Sequence, residues 1–185
     1  MAAGDFEDGL AAFKAGDHQK AVRLWKLLAE QGDARAQTLL GLMYANGEGV
    51  PEDDAKALCL YTKATKQGVA QAQYYRGAMY AKGLGVPDDY VRGYARVSIA
   101  AARGRADGKK AEAIIAKHMT PAQIAEGQKL SRELWGKYVV PFQKNNARPR
   151  TDLPAQPICR IQSTPRCGPA LPAWLSWSAY PPRPG

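Results

Sequence analysis

The residues of this chain that could do chemistry are few, and their spacing limits what they could do. Gly47-Glu48-Gly49 and Gly83-Leu84-Gly85 have the glycine content of a phosphate-cradling loop. Such a loop follows a strand, opens a helix and is completed by a third glycine or a Lys-Ser/Thr pair. Here each glycine pair follows a helical pattern and lacks the remainder, so a turn is expected. Asp53-Asp54 and Asp88-Asp89 offer paired carboxylates, but both stand where a helix should begin, and helix polarity already favours acidic residues there. His18 and His118 are the two histidines, and neither has a ligand partner at metal-binding spacing. Cys59 lies on a helical stretch with no histidine near in sequence to activate it. Cys159 and Cys167 would pair only in an oxidising compartment. No Ser-x-x-Lys occurs. No catalytic residue, cofactor or metal is expected.

Charge narrows the partners. The net charge of +9 is unevenly placed: residues 1–57 hold 6 Lys/Arg and 10 Asp/Glu, residues 58–140 hold 14 and 6, and residues 141–185 hold 6 and 1. A nucleic-acid footprint would be a clustered basic stripe, with aromatics interleaved where single strands are bound. The chain shows neither, so no nucleic acid is expected. The first residues have no charged n-region followed by an apolar stretch, and no run is long and apolar enough to span a bilayer. As written, the chain reads as cytoplasmic and without membrane insertion, or as periplasmic or secreted if its true start lies upstream.

The elements that position these residues repeat. Shifted by 36, residues 32–57 fall on 68–93, and 13 of the 26 positions are identical, from Gly32/Gly68 to Asp53/Asp89. Backwards, Asp17, Ala21, Leu24 and Trp25 meet Asp53, Ala57, Leu60 and Tyr61; forwards, Gly104 and Ala106 continue Gly68 and Ala70. Units at the ends of a stack differ because they cap it. Within a unit, Ala36, Leu39, Leu40, Met43 and Tyr44 recur at helical steps. A break at Gly47-Glu-Gly49-Val-Pro51 follows, and a second helix is expected from about Pro51 to Gln67. Thr120-Pro121-Ala122-Gln123 reads as a capping box opening a last helix to about Tyr138. Eight helices in four pairs result, with no competing strand signal. Gly41 and Gly77 fall inside helices, where each costs about 1 kcal/mol relative to alanine. The recurrence predicts another helix packed close against them.

These residues resemble the Sel-one-like repeat family, relatives of the tetratricopeptide repeats. The family's hallmark, Ala-Gln-x-x-Leu-Gly-x-Met-Tyr-x-x-Gly-x-Gly-Val-Pro-x-Asp, is matched by Ala36–Asp53 and, but for Arg76 in place of leucine, by Ala72–Asp89. The resemblance covers residues 5 to 138. It implies an all-α fold, a right-handed α-α superhelix (solenoid) of four antiparallel helix pairs, and a role as an adaptor or scaffold rather than an enzyme. A cysteine-rich branch of the family carries a disulfide in each repeat, and this chain lacks those regular pairs.

Gly41, Tyr44, Gly47 and Gly49, with their equivalents Gly77, Tyr80, Gly83 and Gly85, are read as structural positions of the repeat. Arg35, Thr38 and Leu42 share a helical face away from the core set, and Gln71, Tyr74 and Ala78 repeat it. The family lines its concave groove with the first helix of each pair, and tyrosine and arginine are common hot spots. Arg35, Thr38, Leu42, Gln71, Tyr74 and Tyr75 are therefore the expected partner-binding residues, for a protein or peptide held by a monomer. Arg76 either pairs with an acidic neighbour or marks a groove. The alternative reading is a cell-envelope module binding carbohydrate or peptidoglycan. The solenoid is expected to occupy residues 1–140. Residues 141–185 hold 10 of the 13 prolines and read as a disordered or docking tail, or a misread frame.

Overall fold

The computed structural model describes residues 3–146, which form nine α-helices: α1 (Ala3–Lys14), α2 (His18–Glu30), α3 (Ala34–Asn46), α4 (Asp54–Lys66), α5 (Ala70–Lys82), α6 (Tyr90–Ala102), α7 (Ala106–Ala116), α8 (Pro121–Tyr138) and α9 (Val140–Asn146). Each helix packs on the next from α1 to α7, giving an α-solenoid of helix pairs. Within a pair the fit rests on a helical glycine. A Cβ at Gly41 would lie 2.8 Å from Tyr61 Cε1, and one at Gly77 would lie 2.7 Å from Val97 Cγ2. Gly9 faces Trp25 in the same way. Trp25, Tyr61 and Val97 are 36 residues apart and fully buried, so one position of the second helix fills the notch of the first in the pairs α1/α2, α3/α4 and α5/α6. The close approach inferred from Gly41 and Gly77 is thus present, and it outweighs their helix-propensity cost.

The glycine loops are turns. Gly47 (φ 68°) and Gly83 (φ 66°) end α3 and α5 in the left-handed conformation that a Cβ disfavours. The second glycine of each loop lies against the preceding unit: a Cβ at Gly49 would be 2.7 Å from the His18 carbonyl carbon, and one at Gly85 would be 2.9 Å from that of Asp54. His18, half-buried here, stands edge-on to Phe13 and 3.8 Å from Glu48.

The second helices start later than their proline and acidic residues suggest. α4 opens at Asp54 and α6 at Tyr90, while Asp53 and Asp89 cap them by accepting from Lys56 N at 2.9 Å and Arg92 N at 2.8 Å. The loop causes this. Asp53 N donates back to the Tyr44 carbonyl at 2.9 Å and Asp89 N to that of Tyr80 at 2.8 Å, which closes each loop before the helix begins. Asp17 and Asp33 cap α2 and α3 similarly. The capping box forms as read, with Gln123 N donating to Thr120 Oγ1 and Thr120 N donating to Gln123 Oε1.

The last unit closes differently. The principal partner of α8 is α6, with Gly127 against the Tyr94 ring. Helix α9 crosses the expected boundary at residue 140, because Pro141 is tolerated in a first helical turn and the chain still has apolar surface to cover there. Val139 is buried, and Phe142 packs on Gly68 at the turn between α4 and α5. The rest of the expected tail, including Cys159 and Cys167, lies outside the described residues. Among the described residues no helix is long and apolar enough to cross a membrane.

Candidate functional site

The six residues expected to form a partner-binding face separate into two groups. Arg35 keeps 59% of its side chain exposed, with its guanidinium 4.1 Å above the Phe6 ring, and Gln71 is half-buried. The other four are core: Thr38 is 2% exposed, Leu42 4%, Tyr74 1% and Tyr75 2%. Thr38 turns its hydroxyl onto the Ala34 carbonyl at 2.7 Å, and Gln71 donates to the Tyr75 hydroxyl at 3.1 Å. Tyr75 lies 5.3 Å from Tyr61 and 5.6 Å from Tyr74, and the Arg105 guanidinium stands 5.2 Å from the Tyr74 ring. Burial pushes the phenols of Tyr61 and Tyr75 above their ordinary range. These are packing tyrosines, and the expectation of an exposed aromatic hot spot at 74 and 75 is corrected. The reason is that α5 touches α4, α6 and α7, so more than one of its faces is covered.

Cations gather one turn further along the stack. Arg76 donates to Thr65 Oγ1 at 3.3 Å and reaches the Tyr80 hydroxyl at 3.5 Å. The guanidinium carbons of Arg96, Arg76 and Arg92 lie 5.2, 5.6 and 5.9 Å from the centre of the Tyr80 ring. Arg92 is exposed and pairs with Asp89 at 3.2 Å. Arg96 is 8% exposed, and neither it nor Arg76 has an acidic partner among the described residues. The Nε atoms of both are buried without an acceptor. Burial, and then the neighbouring charge of Arg76, lower Arg96 to about 10. At Tyr80 burial works to raise the phenol, but the hydrogen bond from Arg76 and the three positive charges prevail and bring it down.

Tyr80, read in sequence as a structural position of the repeat, therefore also carries an electrostatic cluster, and of the two options for Arg76 the acidic neighbour is absent among the described residues. Arg92 and Arg96 belong to no motif of the repeat. The signal was present in the period: Arg76 and Arg96 stand 36 residues after Leu40 and Leu60. The other chemical candidates stay apart. Cys59 is exposed and free, His118 stacks on Tyr90 at 5.7 Å, and no metal-holding cluster occurs among the described residues.

The Sel1 repeat matches residues 4–33, 34–69 and 70–95, and the second and third of these begin where α3 and α5 begin. The Sel1 repeat protein from Oxalobacter formigenes is 35% identical to this chain with a TM-score of 0.52, over 58% of this chain and 84% of that one. The chain belongs to the Sel1 repeat family. It is also similar to c5321, a protective antigen present in uropathogenic Escherichia coli strains and displaying an SLR fold. There the identity is 28% and the TM-score 0.72, over 89% of this chain and 35% of that one. The chain thus spans about a third of the length of c5321. Among curated proteins, none matches it. Proteins of the Sel1 repeat family generally mediate protein–protein interaction and are typically non-catalytic.

Proposed function

We propose that this chain is a non-catalytic scaffold that holds a peptide or domain of another protein in the concave groove of its stack. One observation carries the reading: residues 4–95 are three consecutive units of an interaction repeat, stacked without interruption. Stacked repeats expose an extended surface that no single unit has. Of the residues first expected to line the groove, Arg35 and Gln71 keep their side chains accessible and are the ones to perturb. The test is calorimetric titration of the full chain with each purified protein that co-purifies with it. Saturable binding, weakened by Arg35→Glu with Gln71→Glu, supports both scaffold and site. Binding unaffected by the pair keeps the scaffold and moves the site elsewhere. No binding by any purified candidate removes the reading.

A further inference from the structure

The third unit departs from the second at two positions, each buried in one unit and half-buried in the other. Leu40, 3% exposed, belongs to an apolar cluster with Trp25, Leu28 and Met43, and the half-buried Leu60 packs against that cluster. One period later the same two places hold Arg76 and Arg96. The rest of the arrangement is kept: Lys56 lies over Tyr44 as Arg92 lies over Tyr80, and Asp53 pairs with Lys56 as Asp89 pairs with Arg92. The scaffold therefore accepts leucine at both positions, and packing does not call for two guanidiniums. Placing a cation there without an acidic partner is costly, because the lost hydration is only partly replaced. Arg76 and Arg96 nevertheless face the same ring, each with a buried Nε lacking an acceptor.

We propose that Arg76, Arg92 and Arg96, gathered round Tyr80, form an oxyanion site that receives the carboxylates of an acidic segment of the partner protein. The proposal rests on the scaffold reading for the partner's class and on this cluster for its chemistry. Nε with its neighbouring Nη forms the edge of arginine that grips a carboxylate through two parallel hydrogen bonds, and Nε is the atom left without an acceptor in both residues. Entry is from solvent, since the Arg92 side chain is 60% exposed and Tyr80 and Arg76 are half-buried, with Arg96 beneath. Charge selects the occupant. Residues 58–140 hold 14 Lys/Arg and 6 Asp/Glu, a field that draws in an acidic segment. Residues 147–185 hold five arginines and one aspartate, so this chain's own C-terminal segment does not match the site in charge.

The experiment is calorimetric titration of the full chain with a hexaglutamate peptide, with hexaglutamine and inorganic phosphate as separate arms. The expected result is saturable hexaglutamate binding that weakens with salt, and none with hexaglutamine. Binding should fall about tenfold or more in Arg76→Leu and in Arg96→Leu. Both variants install the residue of the preceding unit, so a native circular dichroism spectrum and an unfolding midpoint at or above that of the unaltered chain should accompany the loss. Hexaglutamate binding that survives both substitutions would overturn the site, as would no binding by the unaltered chain. Phosphate binding as tightly as the peptide would overturn the acidic segment as occupant. Since the peptide arm needs no partner, failure here is distinguishable from failure of the scaffold reading. A partner that binds the unaltered chain and the Arg76→Leu chain alike would keep the scaffold and reject the site.

Discussion

Replacing Gly77 with alanine should destabilise the stack even though alanine is the better helix former. A Cβ at Gly77 would lie 2.7 Å from Val97 Cγ2, 3.0 Å from the Gly93 carbonyl oxygen and 3.1 Å from Arg96 Cβ. The second contact is main chain and the third sits at the base of a buried side chain, so neither yields by rotating a side-chain tip. Separating α5 from α6 is the remaining escape, and it would loosen a pair whose facing residues are fully buried. Overpacking of this kind costs about 3 kcal/mol at the upper end of its range. The helix-propensity gain returns about 1 kcal/mol, leaving a net loss of about 2 kcal/mol. That corresponds to a melting point about 4–8 °C lower for a chain of this size. Gly136 is the control. It lies in α8 with nothing within 4 Å of a would-be Cβ, so Gly136→Ala should keep the whole gain and stabilise by about 1 kcal/mol. Urea unfolding followed by circular dichroism at 222 nm reads both. Gly77→Ala equal to or more stable than the unaltered chain, with Gly136→Ala behaving as expected, would refute the close packing of α5 on α6.

Three further predictions concern the core and the last helices. Tyr74→Ala should cost about 3 kcal/mol or more in unfolding free energy, as truncation of a buried aromatic does; a near-zero change would return Tyr74 to the surface. The Tyr61 hydroxyl is buried without a hydrogen-bond partner, so Tyr61→Phe should stabilise by about 1 kcal/mol at neutral pH. The raised pKa of Tyr61 means that the fold keeps this phenol protonated where the unfolded chain ionises it. The associated stability is complete below the ordinary value of 10.0 and is lost as pH rises from there through the folded value. The advantage of Tyr61→Phe should therefore grow above about pH 10, and a constant difference would contradict the burial. Thr120→Ala should cost about 1 kcal/mol by removing one half of the capping box that starts α8, and hydrogen exchange at the first turn of α8 should report it.

The period made much of this architecture legible. A shift of 36 residues placed the helix breaks and the notch glycines, because each depends on a local backbone requirement that the sequence must meet at every turn of the repeat, whereas the capping role of Asp53 and Asp89 follows from the loop closure on Tyr44 and Tyr80. Thr120 and Gln123 were readable for the same reason. The candidate binding face was not. Thr38, Leu42 and Tyr74 lie off the first apolar stripe, while Tyr75 falls on it at the equivalent of Leu39, and a helical wheel assigns one stripe inward and the rest outward. That rule holds for a helix with one covered side. In α3 and α5, eight of thirteen residues are buried, because neighbours cover them from several directions. The arginine cluster was legible only in part. Arg76 stood out against a hallmark leucine, whereas Arg96 breaks the period at a position outside the hallmark. That these two and Arg92 converge on one ring depends on the packing of α5 against α6, which no periodicity in one dimension specifies.

The central claim is that the stack binds another protein along its surface. The most direct measurement is calorimetric titration of the full chain with a purified protein recovered alongside it, repeated at two salt concentrations. Saturable binding of fixed stoichiometry that weakens as salt rises is expected, because charged groups would carry part of the contact. If every recovered protein, once purified, gives no saturable heat at either salt concentration, the stack is not a protein-binding scaffold.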